Sequence, residues 1–237
     1  MNKKLLIAVF ALMLAATAFA QTEADFNVTL TADSTGVVIT GYTGRTVQVR
    51  IPATIQGMPV RVIGEGAFSR SNINTAITSV VIPQGVTTIN RSAFSYADRL
   101  ASVTIPEGVT EIGKEAFGGT AALTTITLPQ SLTTLGDGAF AESGLRSITL
   151  PASLTSIGDM MFFSSWSLTA ITLPASIRYI SVSAFVGCSS LATITIPASV
   201  ERIEFGTGIG RSAFSGCSGL NLASQAALRR VGYTGDF

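Results

Sequence analysis

Six prolines set the frame of this chain: Pro83, Pro106, Pro129, Pro151, Pro174 and Pro197 follow one another at steps of 23, 23, 22, 23 and 23 residues. Apolar residues keep fixed distances from each. One lies six positions before the proline (Ile77, Leu100, Leu123, Leu145, Leu168, Leu191), and two more lie three and one before it, as in Val103/Ile105 and Ile126/Leu128. Others follow at plus three (Val86, Val109, Leu132, Leu154, Ile177, Val200) and at plus six (Ile89, Ile112, Leu135, Ile157, Ile180, Ile203). A phenylalanine closes every unit, at plus eleven in Phe94, Phe117, Phe140, Phe162 and Phe185, and after insertions near Gly57 and Gly206 in Phe68 and Phe214. A unit of about 23 residues cannot bury its own apolar face, so consecutive units must stack and bury these positions against one another. The period therefore predicts a β-rich repeat solenoid of about seven units of 22–23 residues over residues 52–220.

The stretch before each proline, such as Leu123–Leu128, alternates and is rich in β-branched residues, which predicts a strand that the proline ends without losing a ladder bond. A second extended piece is expected near plus four to plus six, as at Thr133–Leu135, and the Gly-x-x-Ala-Phe part as a turn or short helical turn on the outer side. Residues 21–51 fall outside the repeat and read as an N-terminal β cap. It comprises a strand over 26–31, a turn at Asp33–Gly36, a strand over 37–40, a turn at Gly41–Gly44 and a strand over 47–51. Such a cap covers the open edge of the first coil. Residues 221–237, with helix-favouring Ser224–Arg230, read as the C-terminal cap.

With 47% hydrophobic and 12% charged residues the chain has ample material for a core. Its beginning is expected to be a signal peptide over residues 1–20: Lys3 and Lys4 precede an apolar run from Leu5 to Phe19, and Ala18-Phe19-Ala20 has the small-x-small form of a cleavage site. The run is short for a membrane span, which needs about 20 residues. No cysteine stands near the cleavage site to carry a lipid. The expected location is secreted, periplasmic or outer cell surface, with no stable membrane span after cleavage. Removing Lys3 and Lys4 from 15 basic side chains leaves 13 against 14 acidic ones, scattered without a cluster, so nucleic acid is not an expected partner.

The chain has 0 histidines, which rules out Ser-His-Asp, Cys-His and His-metal sites. Asp137 and Asp159 occupy the same repeat position in consecutive coils, where an acid–base pair or weak calcium site is open to them, but Arg91 and Lys114 continue the row and make it a mixed-charge surface. Gly206-Thr-Gly208-Ile-Gly210 interrupts a repeat and lacks a strand–helix unit around it, so it reads as a turn. No catalytic residue, metal ligand or cofactor is expected. Cys188 and Cys217 each follow their phenylalanine by three residues. Strand spacing of about 4.8 Å puts them within bridging range, but two side chains pointing the same way make the bond's dihedral awkward and favour a stacked, reduced pair.

Alternation leaves Thr104, Thr127, Thr149, Thr172 and Thr195 facing solvent two residues before their prolines, on a short, polar floor where Arg146 is the one long basic side chain. Unit five breaks the pattern: Met160-Met161-Phe162-Phe163-Ser-Ser-Trp166 replaces Gly-x-Ala-Phe-x-Gly-x. Phe163 and Trp166 are additional to the core set, and Met161 stands where other units have alanine, so the coil is expected to widen or rearrange locally there. A gap at that point, or an exposed patch extending to Tyr96 and Tyr179, would take an apolar ligand or a partner side chain. Thr104, Thr127, Arg146, Thr149, Thr172, Thr195, Phe163 and Trp166 are the candidate contacts.

Ile-Thr-Ile-Pro-Ala-Ser-Val at 194–200 and Ser-Ala-Phe-Ser-Gly-Cys-Ser-Gly-Leu at 212–220 carry a family likeness, as do Ile39–Gly44, Ile51–Gly57 and Val62–Phe68. Over roughly residues 37–220 the chain resembles the BspA-like leucine-rich repeats of bacterial surface proteins, including the treponemal ones. The resemblance implies a right-handed, horseshoe-curved leucine-rich-repeat coil that recognises proteins, with host extracellular-matrix or cell-surface molecules as ligands. It transfers no binding residue, because the shared motif is the buried framework. The expectation is a secreted, non-enzymatic adhesion protein. The alternatives are a carrier of a small apolar ligand or peptide near unit five, and a periplasmic scaffold with a bacterial partner.

Overall fold

Each proline closes one short strand, and the apolar residue six positions later sits in a second. In the computed structural model, which describes residues 21–73, 76–204 and 212–237, the first strands are Gln48–Arg50, Ser79–Val81, Ser102–Thr104, Ser147–Thr149, Ala170–Thr172 and Thr193–Thr195. The second strands of the repeats are Thr88–Ile89, Glu111–Ile112, Thr134–Leu135, Ser156–Ile157, Tyr179–Ile180 and Arg202–Ile203. Both columns pair in parallel, coil on coil, with one register: Ile148 faces Ile171, which faces Ile194, and Ile157 faces Ile180, which faces Ile203. The expected signal peptide and the loop Gly206–Gly210 lie outside the described residues.

The expected outer helical turns are present as successive single turns. Around Phe94, Ala93 N donates to Asn90 O, Ser95 N to Ser92 O and Ala97 N to Phe94 O. Left-handed residues interrupt any helical continuation two places before and after the phenylalanine, as at Ser92 (φ 53°) and Tyr96 (φ 56°), or Met160 (φ 53°) and Ser164 (φ 50°). The phenylalanine amide points at the next coil instead, Phe94 N to Ala116 O at 2.8 Å and Phe117 N to Ala139 O at 2.9 Å, so buried backbone groups stay paired.

The phenylalanine rings form one column. From Phe68 through Phe94, Phe117, Phe140, Phe162 and Phe185 to Phe214, successive centroids are 5.0 to 6.0 Å apart and the planes lie 4° to 16° from parallel. Burying each ring contributes about 1.5–3 kcal/mol, and an offset stack adds about 0.5–1.5 kcal/mol. Other aromatics lengthen the column at both ends: Phe26 and Tyr42 before Phe68, Tyr233 and Phe237 after Phe214. Each tyrosine turns its hydroxyl to a polar partner, Tyr42 to Thr46 and Tyr233 to Asp236 O at 2.6 Å, so an amphipathic ring closes each open face of the core.

A hairpin of Phe26–Leu30 against Val37–Tyr42 covers the first coil, and the latter strand pairs in parallel with Met58–Ile63. Gly41 and Tyr42 belong to this strand rather than to the expected turn, because Tyr42 must extend inward to reach Phe26 and Phe68. At the other end the helix is Leu222–Arg230, two residues longer than expected, since Asn221 caps it by accepting from Ser224 N at 2.9 Å.

One coil departs from the pattern. Residues 124–128, the example of a predicted strand, alternate as expected, with Ile126 and Leu128 inward and Thr125 and Thr127 outward, yet pair with neither neighbouring strand. The first column therefore falls into two three-stranded sheets, and Arg146 N to Thr124 O, 3.0 Å, is a hydrogen bond that crosses the gap. The second column also parts between Thr134–Leu135 and Ser156–Ile157. Both interruptions flank the 22-residue step, whose missing residue falls in the turn 141–144. Gly144 is drawn so close to the preceding coil that a Cβ on it would run into the Ala121 carbonyl oxygen.

Candidate functional site

On the first-strand face, parallel register lines up like with like. Thr149, Thr172 and Thr195 form one exposed row and Ser147, Ala170 and Thr193 another, while Ile148, Ile171 and Ile194 point into the core. Over the first two of these strands lies a depression of about 430 Å³ with Ser147, Thr149, Ala170, Thr172 and Pro174 in its wall. Thr104 is exposed at the end of Ser102–Thr104. Thr127 is exposed too, but on the unpaired segment, so the threonine row is continuous through Thr149, Thr172 and Thr195 and interrupted between Thr104 and Thr149. Arg146 is exposed at the margin of the second sheet, its backbone bonded to Thr124 O on one side and to Thr169 N on the other, each at 3.0 Å.

Unit five keeps its phenylalanine in the aromatic column. The Phe140–Phe162 spacing of 6.0 Å is the largest between stacked rings. Met161 is buried in the core of the coil, with its Cε near Gly158. Phe163 is half-buried, whereas Trp166 is 62% exposed and Met160 51% exposed. The expected continuous aromatic patch is dispersed. Tyr179 stands on the second-strand column with its hydroxyl donating to Glu201 Oε2 at 3.3 Å, and Tyr96 is on the outer turns three coils before Trp166. Equal distance from the repeat proline, not aromatic character, decides which side chains meet.

The polar groups do structural work. Asp137 Oδ1 accepts from Asp159 N at 3.1 Å, and partial desolvation of the exposed Asp159 carboxyl, with Asp137 and Glu204 nearby, raises its pKa above its ordinary value. Among the described residues no group of three metal-ligating side chains gathers, and no helix is long and apolar enough to cross a membrane. Cys188 and Cys217 are unbonded and buried. Burial pushes the Cys188 thiol up to about 12 and raises Cys217 further, which leaves both protonated and unreactive. The outer turns around Tyr96, beside Arg70 and Asp98, had no signal in the repeat pattern beyond an aromatic residue at a position where three other coils have glycine.

Parallel strands stacked at one register, short outer turns and a continuous phenylalanine column define a leucine-rich-repeat solenoid. The chain belongs to the BspA type leucine rich repeat region family, whose model matches in 6 copies over residues 49–99, 61–169 and 87–221. Among solved structures it is similar to the leucine rich repeat protein of T. pallidum at 30% identity, covering 92% of this chain and 98% of that one with a TM-score of 0.81. A leucine-rich repeat protein from Bacteroides ovatus matches at 26% identity over 77% of this chain and 54% of that one, TM-score 0.58. One from Eubacterium ventriosum, at 20% identity over 78% and 51%, TM-score 0.51, shares the fold. No curated protein matches the chain. Repeats of this class suggest protein–protein interaction.

Proposed function

We propose that the protein is exported and binds a protein partner of host origin, an extracellular-matrix or cell-surface component, through the first-strand face. The observation that carries this reading is the aligned, exposed polar floor of Thr149, Thr172 and Thr195 with the depression of about 430 Å³ over Thr149 and Thr172. Short side chains allow a partner to approach the sheet closely. Arg146 at one margin and Trp166 on the outer turns supply the anchors that concentrate binding energy. Met161 and Phe162 are both buried in the core of coil five, which weighs against an apolar ligand held inside it.

The test is titration of immobilised fibronectin, laminin and similar matrix proteins with the purified protein, alongside Thr172→Arg, Arg146→Ala and Trp166→Ala. Saturable binding weakened by Thr172→Arg supports the strand face, and no saturable binding to any host protein at micromolar concentration refutes the host-adhesion reading. Protease or antibody access on intact cells separates a surface adhesin from a periplasmic scaffold with a bacterial partner.

A further inference from the structure

Tyr96 stands at a position where the repeat has little use for a large side chain. The corresponding residues of later coils are all left-handed: Gly119, Gly187 and Gly216, with φ of 70°, 74° and 77°, and the smaller or acyclic Glu142 and Ser164, with φ of 55° and 50°. Tyr96 takes the same conformation at φ 56°, which an aromatic residue adopts only at a conformational cost that glycine avoids. Its backbone is held there by Tyr96 N to Gly118 O at 2.7 Å and Asp98 N to Tyr96 O at 2.8 Å. The ring lies against Gly119, where any Cβ would collide with it, yet Tyr96 remains 56% exposed.

Two depressions meet at this ring. One, of about 650 Å³, runs past Glu65, Ser71, Asn72, Ser92 and Glu115; the other, of about 420 Å³, past Ile77, Asp98 and Arg99. Tyr96 and Arg70 border both. Arg70 is fixed by Asp98 at 2.6 Å, which leaves further guanidinium N–H groups to donate. The larger groove thus offers one aromatic face above a floor of hydroxyl, amide and carboxylate groups, and the smaller one adds Ile73, Ala76, Ile77 and Ala97 on the other side of the ring. Its charge is acidic on balance: Arg70 is paired with Asp98 and Glu115 with Lys114 at 3.8 Å, while Glu65 adds an unbalanced carboxylate.

We infer that the groove beside Tyr96 is a saccharide site for a neutral or amino-sugar oligosaccharide. A pyranose has an apolar C–H face to lay on the tyrosine ring and a rim of hydroxyls that both donate and accept, which suits a floor requiring both. Anionic sugars and phosphates would meet Glu65 and Glu115. A protein segment would find a single anchor and none of the well-packed apolar pockets that anchor such partners. The groove volumes are those of small-ligand sites. The site is on the outer turns of the first coils, separate from the strand face and independent of any protein partner there.

The purified protein, with Tyr96→Gly and Tyr96→Phe, is applied to an array of neutral, amino-sugar, sialylated and sulfated oligosaccharides, and affinities of the hits are measured in solution. Binding is expected to neutral or amino-sugar oligosaccharides alone. Tyr96→Gly should weaken it about tenfold or more, whereas Tyr96→Phe should retain most of it. The glycine variant installs the residue three other coils use in this left-handed conformation, so its melting temperature should hold or rise, and lost binding cannot be put down to unfolding. Binding to no saccharide, preference for sialylated or sulfated ones, or affinity undiminished by Tyr96→Gly overturns the assignment. So does a protein ligand lost with Tyr96→Gly while no saccharide binds.

Discussion

Cys188 Sγ donates to the carbonyl oxygen of Phe162 one coil earlier, at 3.0 Å, and Cys217 repeats the bond to Phe185 at 3.1 Å. Ser165 makes the same contact with Phe140 at 2.8 Å, while Thr120 turns to Phe117 within its own coil at 2.7 Å. From Phe117 onward the residue three places after each phenylalanine, Thr120, Ser143, Ser165, Cys188 and Cys217, thus forms a buried polar rail beside the aromatic column. The thiols are donors in that rail, which is why stacked cysteines remain reduced: each sulfur is aimed at a carbonyl rather than at the other sulfur.

Both thiols should therefore be silent toward a disulfide reagent such as dithionitrobenzoate at pH 8 in the folded protein and react in full after denaturation. Fast labelling of the folded protein would contradict the burial. Cys188→Ser should unfold within about 1 kcal/mol of the parent, since serine makes this bond in the preceding coil. Cys188→Leu should cost about 1–3 kcal/mol through overpacking.

Removing one ring from the middle of the column leaves a cavity between two others. Phe117→Ala should cost about 3–5 kcal/mol in urea unfolding. Phe237→Ala, at the partly buried end of the column, should cost markedly less. Equal losses at both sites would deny the column its role.

Gly144 sits in the shortened turn against a backbone oxygen that no rotamer change can move aside. Gly144→Ala should lower stability by about 2–3 kcal/mol. Gly118→Ala, whose added carbon would find its nearest neighbour at an ordinary 3.4 Å, should be neutral or slightly stabilising. Thermal melts of the two variants provide the comparison.

Asp159 is an acid whose pKa is raised in the fold, so the folded state favours its protonated form. Its contribution is fully favourable below the unfolded value near 3.8 and is lost as pH rises through the raised folded value. Asp159→Asn should accordingly raise the melting temperature at pH 7, and the gain should vanish below 3.8. A gain that persists in acid would point to packing rather than charge.

Much of the fold was legible in the chain. The proline steps located both strand columns, the inward row of isoleucines and the phenylalanine at the centre of every coil, because each depends on a local spacing repeated six times. The candidate contacts were legible only as exposed positions. Thr149, Thr172 and Thr195 follow from alternation, but whether Thr127 joins them depends on strand pairing with the coils on either side, and residues 124–128 pair with neither. The single short step of 22 residues was visible; that it would open both columns was not.

The sequence by itself determined that identical coils must stack, what lies in the core and that histidine-based chemistry is excluded. These follow from periodicity and residue type, which no distant contact can alter. Only the tertiary structure decided that Tyr42 and Tyr233 close the ends of the aromatic column, that Met161 fills coil five instead of leaving a gap, and that Tyr96, Trp166 and Tyr179 stand in three separate places. The physical reason is that a repeat sets each residue's height along its own coil. Which side chains share a surface depends on how neighbouring coils register, and one residue too few in a turn is enough to change that.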